Sequence, residues 1–115
     1  MGTIRRRSAH GWEGVTAKAY PAFPGVEKHE LTEGQGYRVR YFHVPAGGHT
    51  ALERHPHDHS VVILAGRARV TLGEAIAEAG EGDVVYVEGD ELHCFEALGE
   101  QDRGLICVAP PRPPG

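Results

Sequence analysis

The sequence predicts an all-β fold: one antiparallel β-barrel of jelly-roll type, in a single domain, with little helix. Three observations predict it. Short runs rich in β-branched and aromatic residues recur roughly every ten residues. The 16 glycines and 8 prolines supply turn chemistry for many short strands. The one segment of helical propensity, "EAIAEAG" (74–80), is short and sits inside a strand series.

Along the chain, residues 1–25 read as an N-terminal arm, 26–109 as the barrel and 110–115 as a proline-rich tail. The arm is mixed in character, with room for one short strand, and Trp12 reads as its packing residue. "YRVRYFHV" (37–44) alternates, with Tyr37, Val39, Tyr41 and His43 on one face and Arg38, Arg40, Phe42 and Val44 on the other. "PAGGHT" follows as a turn, which leaves His49 exposed. "ALERH" (51–55) reads as a short strand, "PHD" as a turn, and "HSVVILA" (59–65) as a strand with apolar residues on both faces. Gly66 breaks it. "RARVTLG", "EAIAEAG", "VVYVEG", "HCFEAL" and "RGLICVAP" continue the series. In the tail "APPRPPG", prolines lack the N–H that a sheet interior needs.

Composition narrows the function. A chain of 115 residues suits one domain. The net charge of −4 offers no basic field for nucleic acid, and Arg5-Arg6-Arg7 reads as a solvated terminal run. Two cysteines, Cys94 and Cys107, make no disulfide framework. Cys94 directly follows His93, so on a strand it faces the other way and reads as a small buried hydrophobe. No apolar stretch approaches the ~20 residues of a membrane span, and the N-terminus lacks the apolar core of a secretory signal. The expectation is a cytoplasmic protein. An outward apolar row of Val62 and Leu64 beside Ser60, together with the arm, predicts a homodimer.

The chemistry concentrates in "ERHPHDH" (53–59). Glu53 and His55 are two apart on one strand and share a face. The turn at 56–58 reverses the chain, so His59 returns to the same side, while His57 sits at the turn tip. "GDELHCF" (89–95) offers His93 from a strand brought alongside. Imidazole and carboxylate donors suit a divalent first-row metal, and such a set leaves open positions for a substrate or oxygen. Tyr41 and His43 share a strand face and are the pocket candidates for proton transfer. His10 and His29 carry no assigned role.

These residues resemble the motifs of the cupin superfamily, in its small single-domain metal-binding form. In its first motif a histidine pair spaced by one precedes a glutamate and then a glycine. Counting back from Gly66 places His59 at the glutamate, His55 at the second histidine and Glu53 at the first. Glu53 and His59 thus look like an exchange of the usual residues. In the second motif Gly82 and His93 match, while Glu88, Asp90 and Ala97 depart from the usual proline, glycine and asparagine. The resemblance covers roughly residues 35–108. It implies a metal, Mn or Fe, or else Zn, Ni or Cu, held by Glu53, His55, His59 and His93, with His57 as the alternate for Glu53. It implies an enzyme of dioxygenase-type or isomerase-type chemistry on a small molecule. The competing expectation is a non-catalytic barrel that binds a small ligand around a structural metal.

Overall fold

The computed structural model describes residues 2–9, 11–20 and 23–112. His10 and Pro21 of the arm, and Pro113, Pro114 and Gly115 of the tail, lie outside the described residues. Eleven strands follow in order: β1 (Arg7–Ser8), β2 (Gly11–Trp12), β3 (Lys18–Ala19), β4 (Glu27–Glu33), β5 (Arg38–Val44), β6 (His59–Ala65), β7 (Arg67–Leu72), β8 (Ala75–Gly80), β9 (Val84–Val87), β10 (His93–Leu98) and β11 (Arg103–Ala109). Every pairing between them is antiparallel. A six-stranded sheet runs β3-β4-β5-β11-β6-β9, a three-stranded sheet runs β10-β7-β8, and β1-β2 forms a hairpin. The fold is an all-β antiparallel jelly-roll barrel. Among the described residues there is no helix long and apolar enough to cross a membrane.

The core forms where the two larger sheets face each other. Phe42 and Val44 of β5, Val61 and Ile63 of β6, Val85 and Val87 of β9 and Leu105 of β11 meet Val70 of β7 and Phe95 of β10. Alternation along β6 sends His59, Val61 and Ile63 inward and leaves Ser60, Val62 and Leu64 half-buried on the other face. β8 is a strand despite its alanines and glutamates. Its six-residue register against β7 outweighs the weak helical preference of the segment.

Three elements differ from the sequence-based expectation. Residues 51–55 form no strand; an isolated bridge joins Glu53 to His93 instead. β4 carries no apolar rhythm in "EKHELTE", yet it buries His29 and Leu31. On β5 the interior face is Arg40, Phe42 and Val44, while Tyr41 and His43 lie on the outer side of the sheet. Phe42 and Val44 offer the more apolar pair to the facing sheet, and burying them decides the strand's orientation.

Gly66 at the β6–β7 turn has φ +81°, and a Cβ there would overlap the Arg103 side chain. Arg103 is itself buried, donating to the carbonyls of Arg67, Gln101 and Asp102. Gly66→Ala should therefore cost about 2 kcal/mol or more, from left-handed backbone strain plus overpacking. Thermal unfolding should show a drop of roughly 8 °C, against an unchanged midpoint for Gly36→Ala, where a Cβ meets open space. Equal midpoints would contradict this assignment.

Candidate metal centre

The site lies at one mouth of the barrel, between the sheets. His59 opens β6 in the six-stranded sheet and His93 opens β10 in the three-stranded one. Glu53 and His55 come from the segment that crosses between them. Glu53 and His93 exchange backbone hydrogen bonds of 3.0 and 2.9 Å. Directly opposed residues of that kind project from the same face. His55 lies two residues further on the same side, held by its carbonyl, which accepts from the Asp90 amide.

The imidazoles converge. Ring centres lie 5.0 Å apart for His55–His93, 4.8 Å for His59–His93 and 5.8 Å for His55–His59. A ligating nitrogen sits about 2.1 Å from a first-row ion, so ring centres about 4.5–5.5 Å apart match angles of about 90–120° at one ion. Glu53 Oε2 lies 4.0 Å from His55 Nε2, within the roughly 4.2 Å that two such bonds span. Glu53 Oε1 accepts from the Tyr20 hydroxyl. His57 lies at the rim with its ring parallel to His55, at an interplanar angle of 4° and a centre distance of 5.1 Å. Among the described residues no three His, Cys, Asp or Glu side chains are placed so that together they could hold a metal ion as they stand.

Hydrogen bonding orients one of the rings. His93 Nδ1 lies 2.9 Å from the Glu91 carbonyl. A carbonyl only accepts, so Nδ1 carries the proton and Nε2 presents its lone pair. His59 Nδ1 is buried without a hydrogen-bond partner. Burial, reinforced by the neighbouring His93, His55 and His57, pushes the His59 imidazole down to about 4. Burial likewise lowers His55, against the opposing pull of Glu53. Burial is also the main cause that raises Tyr20, and its bond to Glu53 adds to it. Tyr20 therefore stays a hydrogen-bond donor that orients the carboxylate. Neutral imidazoles beside an oriented carboxylate are the donor set a divalent cation requires.

The sign of the resulting pH effect is fixed. Below pH ~6.5 an unfolded His59 takes up a proton, whereas the folded one does so only near pH 4. The metal-free protein should therefore lose stability as pH falls from 6.5 towards 4, by on the order of 2–3 kcal/mol. Urea unfolding in chelator across that range should show the loss, and His59→Asn should flatten it. An equally steep slope in the variant would contradict the assignment.

The cavity around these residues measures about 170 Å³, with Phe42, Val61, Phe95 and Leu105 among its walls. Five polar residues that sequence reasoning missed face it: Tyr20, Thr50, Arg38 and Arg40 of β5, and Cys107 of β11. Arg38 Nε and Arg40 Nε are buried without partners among the described residues. Arg40 Nη2 donates to the Cys107 sulfur at 3.5 Å. Burial raises the thiol and Arg40 opposes that shift. The parity of Leu105, Cys107 and Ala109, all buried on β11, is the signal that could have found Cys107. Tyr41 and His43, expected as pocket residues, line a separate cavity on the outer face of the six-stranded sheet.

Comparison with known proteins supplies a family context. Residues 40–109 match the family described as the cupin domain. A protein of Rhodospirillum rubrum named 1-methylthio-D-xylulose 5-phosphate methylsulfurylase is 36% identical over 109 residues, covering 89% of this chain and 70% of its own length. A cupin 2 conserved barrel domain protein from Rhodopseudomonas palustris superposes with a TM-score of 0.85 at 30% identity, over 98% of this chain and 83% of that one. A cupin-2 domain from Rhodospirillum rubrum gives a TM-score of 0.83 at 33% identity, over 98% of this chain and 80% of that one.

Proposed function

The chain belongs to the cupin family, and from that premise we propose that it is a metal-dependent enzyme acting on a small phosphorylated, oxygen-bearing molecule in the histidine cavity. The metal is a divalent first-row ion such as Mn or Fe, held by Glu53, His55, His59 and His93. The observation that carries this reading is the convergence of three imidazoles from both sheets with a carboxylate fixed by Tyr20. Holding one ion would take side-chain rotation that brings these donors together. A bound ion of this kind acts as a Lewis acid towards a carbonyl or hydroxyl oxygen.

The remaining residues suggest the substrate class. Arg38 and Arg40 present guanidinium groups whose Nε atoms lack partners, and such groups pair with phosphate or carboxylate. The relative at 36% identity acts, by its name, on a 5-phosphorylated sugar, which favours phosphate. The apolar walls exclude water from the reacting end of the molecule. His57 at the rim and the Cys107 thiol deep in the cavity are the groups free to hold or move a proton there. Such proton-moving groups support isomerase-type chemistry over oxygen activation.

Incubating the metal-loaded protein with a panel of phosphorylated ketoses, with and without chelator, tests the reading. Metal-dependent turnover is expected, and Arg40→Met should raise KM at least tenfold. Each lost charged contact to a phosphate is worth about 1.5–3 kcal/mol. Metal binding without turnover of any phosphorylated substrate would instead support the non-catalytic ligand-binding barrel.

A further inference from the structure

The outer face of the six-stranded sheet carries a cavity of about 620 Å³ that the metal site does not use. Its floor is formed by His29 of β4 and Tyr41 of β5, which are register partners, and the hairpin β1-β2 walls it. Arg7 stacks between Trp12 and Tyr41, with its guanidinium carbon 5.8 and 5.5 Å from the two ring centres.

This face carries polar groups that the described residues leave without partners. His29 is 2% exposed, and among the described residues neither of its ring nitrogens has a hydrogen-bond partner. Its nearest carboxylate, Glu27 Oε1, is 3.7 Å from Nε2, beyond hydrogen-bond range. Trp12 Nε1 is likewise buried without an acceptor among the described residues. Such groups cost stability unless something completes them. Gly11 brings backbone rather than a side chain against the imidazole, since a Cβ there would lie 3.4 Å from His29 Cε1.

We propose that this cavity is a second binding site, for a small hydroxylated monocarboxylate. The unmet valences dictate the class. Trp12 is a donor only and needs an oxygen acceptor. The two ring nitrogens of His29 call for hydrogen-bond partners, and a hydroxyl can serve as donor or acceptor. Arg7 has no carboxylate partner among the described residues, and its planar edge matches a carboxylate. Glu27 and Asp102 also line the cavity, and their carboxylates disfavour a ligand that carries more than one negative charge. Asp102 is already committed to His43 Nε2 and to the Ala46 amide, both at 3.0 Å. The volume falls in the range of small-molecule pockets, roughly 300–1,000 Å³.

Trp12 is the chain's single tryptophan, so its emission and indole N–H resonance report on this cavity alone. The experiment titrates gluconate, with sorbitol as the uncharged counterpart. A saturable change with gluconate at millimolar concentration or below is expected for a ligand of that size, with none for sorbitol. Arg7→Gln, at an exposed position that leaves the fold intact, should weaken binding about tenfold or more. His29→Phe should also weaken it, whereas His93→Ala should leave it unchanged. No saturation with gluconate, or an equal response to sorbitol, would overturn the proposal. So would an emission change on protein dilution alone, which would mean that a second copy of the chain fills the cavity.

Discussion

His93→Ala is expected to leave the protein nearly free of bound metal. His93 is 5% exposed, and its ring centre lies within 5.0 Å of those of both His55 and His59. It is the only proposed ligand from the three-stranded sheet, so its loss opens one whole side of the site. Losing a group that merely orients a ligand costs about 10–100-fold in affinity, and losing a ligand should cost more. His59→Ala should behave alike. Tyr20→Phe, which removes only the hydroxyl that holds Glu53, should fall in the 10–100-fold range. The informative contrast is between Glu53→Gln and His57→Ala, read as metal content after reconstitution with Mn(II). Glu53→Gln should empty most of the site and His57→Ala should keep it filled. The reverse outcome would transfer the fourth position to His57.

The second large effect concerns the frame that holds those ligands. Ile63 is 0% exposed on β6, four residues after His59 on the same face. Ile63→Ala removes three carbons from a core that cannot fully collapse, at a cost of about 3–4 kcal/mol. Total stability for a domain of this kind is about 5–15 kcal/mol, so the midpoint of urea unfolding should fall steeply. Val84→Ala, at a position that is 65% exposed, should change stability by less than about 0.5 kcal/mol. Because Ile63 does not line the histidine cavity, the folded variant should still bind its ion.

These experiments bear on how far the sequence alone can be read. The run from His59 to Ala65 is β-branched, bounded by turn residues, and forms β6 over those same residues. Glu53, His55 and His59 line one cavity, as their spacing suggested, although residues 51–55 form no strand and an isolated bridge to His93 positions Glu53 instead. β5 was harder. Both of its faces mix aromatic, charged and aliphatic residues, so the burial of Phe42 and Val44 against the facing sheet settles which side is interior. Tyr41 and His43 consequently face outwards, away from the metal ligands. His29 gave no signal, since β4 alternates charged residues whose burial depends on the hairpin β1-β2 lying over them. Cys107 was hidden for a different reason: a lone thiol in an apolar run reads as core until its neighbours Arg40 and His59 are placed around the same cavity.

The central claim is a divalent metal held at the barrel mouth, and its most direct test is the metal stoichiometry of the purified chain. Protein stripped by chelator, reconstituted separately with Mn(II), Fe(II), Zn(II), Ni(II) and Cu(II) and desalted, would be assayed by elemental analysis beside His59→Ala and His93→Ala. The account predicts one tightly held ion per chain for at least one of these metals, and close to none in either variant. Less than a tenth of an ion per chain with every metal, or equal loading of the two histidine variants, would contradict it.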